Sequence, residues 1–338
     1  MANFIPRQVF QAPAVVPKTY YIGHHASAQQ KLVNKLSNIS LILECRDFRL
    51  PLSTHNPRLE KAVAGRERLV IYTNASKGRD TPLAANALRR LHADGRFVIW
   101  DKDEPATTKT VLKKVKDIAR EADSLTGLWG MIVGMPNVGK STLLNALRSA
   151  GISVKTAKAA KTGDQAGVTR KISTPVRILE PESRGGVGDG AFILDTPGIF
   201  EPYVDNGETM LKIALTQGIK KGLIREIILS DYLLYRMNLV DPTLYSRYCP
   251  PTNNIDELLE AVARKEGKIK ARGTPVLSHA ATRVLTQWRE GKLGRFVLDD
   301  LSDKAIEEYR DRIANPKLSL SQAKKLQKQT RAQEKVGA

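Results

Sequence analysis

The sequence is poor in cysteine and has no long apolar run. Among its 338 residues only Cys45 and Cys249 are cysteines, and they lie far apart in the chain. Two such thiols provide neither a disulfide framework nor a cysteine cluster for zinc, which is typical of a protein from a reducing compartment. The longest apolar stretches, such as LWGMIVGM at 128–135, are much shorter than the roughly 20 residues of a membrane-spanning helix. The sequence therefore predicts a soluble protein without a transmembrane segment.

Acidic residues are also scarce, and the excess of positive charge indicates an anionic partner. The chain has 54 Lys and Arg against 35 Asp and Glu, which gives a net charge of +19. Neutralising phosphates and releasing counterions favours nucleic-acid binding by such a chain, and RNA is the partner we expect. An acidic membrane surface would also suit this charge, but no amphipathic anchor is evident. The alternative is a basic surface that is merely solvated.

The first 26 residues are predicted to form an irregular, basic arm. No acidic residue occurs before Glu44, whereas Arg7 and Lys18 are basic. An acid-poor, basic beginning is compatible with a mitochondrial transit segment, although prolines and a low arginine content weaken that interpretation. The arm lacks the apolar core of a secretory signal peptide. A flexible arm of a cytosolic protein is the alternative.

Apolar runs alternate with helical patterns over residues 27–204, which predicts an α/β domain with a mostly parallel sheet. Residues 68–73 and 96–100 are apolar runs typical of buried strands, and residues 82–95 between them have helical spacing with a glycine stop. Such alternation predicts a sheet covered by helices on both faces. Beyond this region we expect a small all-helical C-terminal domain at 205–312 and a basic tail at 313–338.

Residues 134–141 read GMPNVGKS and fit the phosphate-binding pattern G-x-x-x-x-G-K-[ST]. Gly134 and Gly139 let backbone N–H groups turn towards phosphate oxygens. Lys140 supplies a positive charge, and the Ser141 hydroxyl is a ligand for Mg²⁺. The motif follows a predicted strand and precedes a predicted helix, whose N-terminus also favours an anion. This context predicts phosphate binding.

Two further segments are predicted to complete a magnesium and γ-phosphate site. DTPG at 195–198 ends an apolar strand, so that Asp195 can hold Mg²⁺ and the Gly198 N–H can face a γ-phosphate. Thr169, in GDQAGVTR at 163–170, is the candidate that closes over Mg²⁺ when the γ-phosphate is present. The alternatives are a plain turn for DTPG and an ordinary surface threonine for Thr169.

The order of these motifs predicts a circularly permuted domain. A P-loop, an intervening threonine and D-T-P-G are typical of Ras-like GTPases, in which the strands that recognise the base follow D-T-P-G. Here the sequence after D-T-P-G becomes helical, and the additional strands precede the P-loop. A parallel sheet tolerates this rearrangement if its original termini lie close together. We therefore expect residues before the P-loop to fold back beside it and hold the base.

Several segments resemble the circularly permuted ribosome-assembly GTPases of the YlqF/RbgA type and their mitochondrial branch, mitochondrial GTPase 1. The resemblance covers about residues 20–300, in the permuted order. Its landmarks are YYIGHHASAQQKL, RDFRLPLSTHNP, GMPNVGKSTLLNAL, GVTR and DTPGIF, followed by C-terminal segments such as DYLLYRMN and GKLGRFVLDDL. It implies GTP hydrolysis coupled to maturation of the large subunit of the mitochondrial ribosome, through binding to rRNA.

The resemblance also implies a location and cofactors. We expect a monomer in the mitochondrial matrix, peripherally on the inner membrane, that uses Mg²⁺ and, through Asn137, K⁺. A purely structural role for Asn137 is the alternative. Two other functions stay open: a P-loop ATPase or phosphotransferase acting on a small metabolite, and an RNA-binding scaffold with a degenerate nucleotide site.

A catalytic histidine is implied by the same resemblance. Ras-like enzymes orient water with a glutamine two residues after the D-x-x-G glycine, and that position is Phe200 in this chain. The family's F-P-G-H-M segment corresponds to the region of His24, whose imidazole can position water. The alternatives are that His24 is an ordinary loop histidine and that the adjacent His25 matches the motif instead.

The base-recognition motif departs from the family's N-K-x-D. Residues 73–80 read TNASKGRD, and direct alignment begins the motif at Thr73 and ends it at Ser76. Ser76 thus replaces the carboxylate that pairs with guanine N1 and N2, a change that forfeits about 1.5–3 kcal/mol. A shifted loop that recruits Lys77 and Asp80 is the alternative.

The motifs and the resemblance together define the candidate site residues. For the nucleotide these are Thr73, Asn74, Ser76, Asn137, Val138, Gly139, Lys140, Ser141, Thr142 and Gly198. For the metal they are Ser141, Thr169 and Asp195, and the catalytic residue is His24. Candidate contacts to rRNA phosphates are Arg264, Lys265, Lys268, Arg283, Arg289 and Lys292, for which a solvated helix face is the alternative.

Overall fold

A computed structural model describes residues 4–17, 35–57, 62–122, 127–153, 174–198, 206–269 and 274–315. The predicted catalytic residue His24 and the predicted metal ligand Thr169 lie outside these ranges. The chain divides into two compact units, Met1–Asp299 and Asp300–Ala338. The division into an arm, a GTPase domain, a helical domain and a tail stays a prediction.

A six-stranded sheet forms the centre of the first unit. In chain order its strands are β1 (Leu41–Asp47), β2 (Glu67–Thr73), β3 (Phe97–Ile99), β4 (Leu128–Gly134), β5 (Val176–Leu179) and β6 (Ala191–Asp195). Their order across the sheet is β3-β2-β1-β4-β6-β5. All neighbouring strands are parallel except β5, which runs antiparallel to β6 at the edge. The predicted mostly parallel sheet is confirmed.

The order of the strands shows the circular permutation directly. β4 leads into the P-loop, and the three strands that precede it in the chain lie together on one side of it, whereas β6 and β5 lie on the other. β1 pairs with β4 so that Cys45 is level with Gly134, and β2 pairs with β1 so that Thr73 is level with Asp47. The carboxyl ends of β1, β2 and β4 therefore meet at one edge of the sheet.

Eight α-helices belong to the described part of the chain. They are α1 (Leu83–Leu91), α2 (Pro105–Glu121), α3 (Lys140–Gly151), α4 (Gly207–Leu215), α5 (Glu226–Val240), α6 (Ile255–Lys265), α7 (Leu277–Arg289) and α8 (Asp303–Ala314). α1–α3 alternate with strands, α4–α7 follow β6, and α8 belongs to the second unit. Within the described residues, no helix combines the length and the apolar character needed to cross a membrane.

Strand residues alternate between two apolar clusters, because successive side chains of a strand point to opposite faces of the sheet. On one face the odd-numbered residues of β1 join a large core with α2 and α3. On the other face Ile42, Met131 and Leu194 belong to a second cluster. Tyr72 shares this second face, and its hydroxyl lies 2.8 Å from Nε2 of His92, the residue that follows α1. Helices therefore cover both faces, as predicted.

Helices α4–α7 extend the first apolar core beyond the sheet. The chain after α7 then returns to the loop that follows β1. There the Asp299 carboxylate accepts hydrogen bonds from the backbone N–H groups of Leu52 and Ser53, at 2.9 and 2.8 Å. The Leu298 N–H donates to the Arg49 carbonyl at 2.8 Å. The helical part of the first unit is thus joined to the sheet through the loop after β1.

Residues 4–17 contain no helix or strand, and they pack closely on α5. The ring of Phe10 meets that of Tyr232 edge to face, with their centroids 5.1 Å apart. The Arg7 guanidinium lies 2.6 Å from the Asp231 carboxylate. The described portion of the arm is therefore part of the folded unit, with the charge of Arg7 paired inside it.

Candidate nucleotide-binding site

The P-loop connects β4 to α3 and depends on two glycines. Gly134 has a φ of 142°, and a Cβ atom there would lie 2.3 Å from the Cys45 carbonyl oxygen, so a side chain has no room. Gly139 has a φ of 88°, in the left-handed region that favours glycine. The N-terminus of α3 begins directly after it, at Lys140, and presents its positive dipole end to the loop. The loop therefore has the form of an anion-binding turn.

Lys140 is held inside this loop. Its Nζ atom donates to the carbonyl oxygens of Met135 and Gly134, at 2.7 and 3.2 Å. Burial lowers the pKa of Lys140, while the nearby Asp195 charge acts in the opposite direction. The ammonium group is thus anchored by the loop that it serves, in position to contact phosphate oxygens.

Ser141 and Asp195 meet at the predicted magnesium position. The Ser141 Oγ donates to the Asp195 carboxylate at 2.7 Å, and Asp195 ends β6, level with Ile132 of β4. A hydroxyl and a carboxylate oxygen are the hard ligands that Mg²⁺ prefers, with phosphates and water completing its shell. In the residues that the structure describes, no group of three or more His, Cys, Asp or Glu could hold a metal by itself. These two side chains therefore fit a Mg²⁺ bound together with a nucleotide.

The D-T-P-G segment runs against the P-loop. A Cβ atom on Gly198 would lie 2.6 Å from the backbone of Pro136, so only glycine allows this approach. Thr196 is fully buried, and its hydroxyl donates to the Ile132 carbonyl at 2.7 Å. The two motifs that the sequence identifies as a pair are therefore adjacent.

The end of β2 contacts the P-loop from the other side. Thr73 is fully buried, and its hydroxyl bridges the Val138 carbonyl oxygen at 2.5 Å and the Arg46 carbonyl oxygen at 3.2 Å. Gly139 also faces Thr73, because a Cβ atom there would lie 3.5 Å from the threonine side chain. Thr73, 65 positions upstream of Val138, thus touches the P-loop, as the permuted order requires.

The turn after β2, which we call the base turn (Asn74–Gly78), is held by two carboxylates, one at the end of β1 and one in the loop after β3. Asn74 has a left-handed φ of 58°, and its Nδ2 donates to the Asp47 carboxylate at 2.9 Å. The Ser76 N–H donates to the Asp101 carboxylate at 2.6 Å. Burial lowers the pKa of Lys77, and the charge of the nearby Arg49 lowers it further. These contacts hold the turn beside the P-loop.

Asp80, the alternative carboxylate for base recognition, is bound by the chain that follows α7. Its carboxylate accepts from the Arg295 N–H at 3.0 Å and lies 3.2 Å from the Arg295 guanidinium. This ion pair is half exposed. The arrangement gives Asp80 a structural partner and offers no support for a shifted base motif.

The remaining predicted residues lie on the P-loop and on α3. The Asn137 Nδ2 donates to the Gln217 carbonyl oxygen at 2.7 Å, which connects the P-loop to the turn after α4. Val138 is buried, and Thr142 is half-buried in the first turn of α3. The contact with Gln217 is one that the sequence motifs do not indicate.

Two residues of the site escape prediction from motifs alone. Asp47 lies in the RDFR segment, and its carboxylate accepts from Arg49 Nη2 at 2.7 Å as well as from Asn74. Asp101 follows β3 and holds Ser76. Asp47 belongs to the RDFRLPLSTHNP landmark, which does not by itself assign it a contact, and both residues are acids at or just after the end of a parallel strand, where ligand sites form.

We predict that Thr73→Val weakens both stability and nucleotide binding. Valine has the same shape but leaves the buried Val138 and Arg46 carbonyls without their hydroxyl donor, which costs about 1–3 kcal/mol. Urea unfolding and titration with a fluorescent guanine nucleotide measure the two effects. Thr110→Val, which removes an exposed hydroxyl from α2, is the control. A Thr73→Val variant that matches wild type in both measurements would contradict this description of the site.

We predict that Asp195→Asn stabilises the metal-free protein and abolishes the effect of Mg²⁺ on nucleotide affinity. Burial raises the pKa of Asp195, partly offset by Ser141 and Lys140. A carboxyl with a raised pKa opposes folding when ionised, and this destabilisation disappears as the pH falls towards its ordinary pKa. The stability gain of Asp195→Asn is therefore larger at pH 8 than at pH 5 in urea unfolding. An equal loss of stability at both pH values would refute the prediction.

Comparison with known proteins agrees with this geometry. Residues 130–271 match the family model described as 50S ribosome-binding GTPase. Over 325 residues the chain is 31% identical to mitochondrial GTPase 1 of Schizosaccharomyces pombe, covering 90% of this chain and 95% of that protein. It is 30% identical over 303 residues to mitochondrial ribosome-associated GTPase 1 of Xenopus tropicalis, covering 83% and 94% of the two chains.

The fold also matches a solved structure. GDP-bound YlqF from T. maritima aligns with a TM-score of 0.56 at 22% identity, covering 81% of this chain and all of that one. This similarity supports the fold. The alignments with the two mitochondrial relatives span 95% and 94% of those proteins. The chain therefore belongs to the mitochondrial GTPase 1 family of circularly permuted GTPases.

Proposed function

We propose that this protein is a GTP-hydrolysing assembly factor for the large subunit of the mitochondrial ribosome, and that it binds rRNA in a nucleotide-dependent manner. The observation that carries the proposal is the contact of Thr73 with Val138, which joins a base turn and a phosphate loop into one pocket. The names of the relatives and the description of the matching family model support the ribosomal partner. The net charge of +19 supports the binding of RNA.

The phosphate side of the pocket provides binding and charge stabilisation. Lys140 and the N-terminus of α3 attract the β- and γ-phosphates, and the glycines of the loop allow its backbone N–H groups to approach them. Ser141 and Asp195 would hold Mg²⁺, which neutralises the charge that develops on the phosphates during hydrolysis. The Gly198 N–H is the proposed donor to the γ-phosphate.

Water positioning and switching are assigned to residues outside the described ranges. We propose His24 as the residue that orients the attacking water, because Phe200 has no polar group at the usual position of the glutamine. We propose Thr169 as the residue that joins the Mg²⁺ shell in the GTP-bound state. Asn137 is the proposed ligand of K⁺, and its bond to Gln217 fixes the orientation of its amide.

Exposed basic residues on and after α6 and α7 are the proposed rRNA surface. Arg264, Lys265, Lys268, Arg283 and Lys292 are exposed. Arg289 differs from them, because its Nε donates to the Leu215 carbonyl at 2.8 Å and burial lowers its pKa to about 10. A structural role therefore suits Arg289 better than contact with phosphate.

The relatives also bear on where in the cell the protein acts. The mitochondrial names of the relatives support a mitochondrial location. We further propose that the protein is a monomer in the matrix and associates peripherally with the inner membrane. The small-metabolite ATPase and the scaffold with a degenerate site have no specific support in the structure.

We predict that the protein co-sediments with large mitochondrial subunits when it carries a non-hydrolysable GTP analogue, and less so with GDP. Lys140→Ala removes this difference and abolishes GTP hydrolysis, whereas Lys113→Ala, an exposed lysine of α2, changes neither. A Lys140→Ala variant that supports subunit assembly fully would instead favour an inactive scaffold. ATP that displaces a bound fluorescent nucleotide as well as GTP does would favour the metabolite enzyme.

We predict that replacing Arg264 and Lys268 with glutamine flattens the salt dependence of particle binding. Each lost phosphate contact reduces the slope of log K against log salt by about 0.7 on single strands. The matched control replaces Lys109 and Lys113 of α2, which are also exposed, and removes the same charge. An unchanged slope for the first pair, or an equal change for both pairs, would refute the proposed rRNA surface.

A further inference from the structure

We infer that Asp101 supplies the carboxylate that reads guanine in this protein, in place of the residue that Ser76 replaces in the base motif. The inference rests on the proposed GTPase function and names the residue that gives the pocket its base specificity. Ser76 lies on the base turn at the position of the family's carboxylate, and Asp101 supplies the carboxylate from the neighbouring loop after β3.

The distance between the two residues places the Asp101 carboxylate beside residue 76, where the family's motif has its own carboxylate. Asp101 Oδ2 lies 2.6 Å from the Ser76 backbone nitrogen, which is within the reach of a carboxylate borne by residue 76 itself. β2 and β3 are neighbouring parallel strands, so their carboxyl ends deliver both loops to the same edge. The Trp100 N–H donates to the Tyr72 carbonyl at 2.8 Å and keeps the two strand ends together.

Asp101 is held firmly and carries charge. Thr107 Oγ1 is hydrogen-bonded to both the N–H and the carbonyl of Asp101, at 3.1 and 3.0 Å, and the Asp103 N–H donates to its Oδ1 at 3.0 Å. Burial alone would raise the pKa of Asp101, but hydrogen bonds from Ser76 and Asp103 bring it below its ordinary value. The side chain is therefore an ionised, preorganised acceptor.

Other carboxylates near the base turn already have cationic partners. Asp47 is bound by the Arg49 guanidinium, and Asp80 is bound by Arg295. Within the described residues, Asp101 accepts only N–H and hydroxyl groups and forms no ion pair. A buried carboxylate without a direct ion-pair partner, on which the more distant charges of Lys77 and Lys102 act, suits a ligand that brings its own donors.

Guanine brings the donors that this carboxylate needs. Its N1–H and its 2-amino group both donate from one edge, whereas adenine has an acceptor at N1 and no 2-amino group. Asp101 is only 2% exposed, so the guanine edge reaches it when the base turn, a single 3-10 turn at Ala75–Lys77, shifts outward. Bidentate pairing with an ionised acceptor is among the stronger hydrogen-bonding arrangements in proteins.

The test uses xanthosine triphosphate, because xanthine carries an oxygen where guanine carries the 2-amino group. Asp101→Asn retains an oxygen that accepts the N1–H and gains an NH₂ group that donates to the xanthine oxygen. Asp103→Asn is the matched control, since Asp103 is an exposed acid two residues away and the charge change is the same. The Kd values of GTP, ATP and xanthosine triphosphate are measured on the full chain for both variants and wild type.

We expect wild type and Asp103→Asn to prefer GTP. We expect Asp101→Asn to lose about tenfold or more in GTP affinity, the equivalent of 1.4 kcal/mol, and to prefer xanthosine triphosphate. A variant Asp101→Asn that still prefers GTP to both other nucleotides would overturn the inference and reduce Asp101 to a brace for the base turn. Wild type that binds GTP no better than ATP would instead contradict the proposed function.

A second variant covers the case in which Asp101→Asn binds no nucleotide. The double substitution Ser76→Asp with Asp101→Ser returns the carboxylate to the base turn and keeps the pair of side chains. GTP preference in this double variant, together with its loss in Asp101→Ser alone, supports the inference. If the double variant fails to recover the preference that Asp101→Ser lost, the inference is wrong.

Discussion

The hydrogen bond from the Thr73 hydroxyl to the Val138 carbonyl is the contact on which the nucleotide pocket depends. It joins the end of β2 to the P-loop, although the two residues are 65 positions apart and come from opposite sides of the permutation. β1 lies between β2 and β4 and sets their register. Because Thr73 is buried and bridges a second carbonyl at Arg46, the end of β2 and the phosphate loop have one fixed separation. A Ras-like pocket requires that separation, and this chain reaches it with its strands in a different order.

The helical part of the first unit contacts the same pocket at three points. The turn after α4 receives the Asn137 amide of the P-loop, and Asp299 binds the N–H groups of the loop after β1. Arg295 holds Asp80, two residues after the base turn. The phosphate loop is therefore in direct contact with the helical part of the first unit, which carries the proposed rRNA surface. This connection provides a physical route by which GTP hydrolysis can alter the proposed binding to the particle.

Much of this fold is predictable from local patterns, whereas the contacts between distant segments are not. The apolar run at 68–73 corresponds to β2, and the helical spacing at 82–95 contains α1. The P-loop motif and D-T-P-G have fixed local geometry, so their adjacency follows from the order of motifs. In contrast, the packing of Phe10 on Tyr232 and the Asn137–Gln217 bond depend on how separate elements pack. Ser76 shows that a carboxylate is missing, but only the structure shows that Asp101 lies beside it.

Hydrogen–deuterium exchange of the full chain with and without nucleotide shows whether the base turn and the P-loop hold the nucleotide together. We predict that GTP slows exchange of the amides in the base turn, at residues 74–78, together with those of the P-loop at 135–141. ATP at the same concentration should protect the base turn less. Protection that is confined to the P-loop while the base turn exchanges as in the nucleotide-free protein would contradict the claim that the upstream strands complete the pocket.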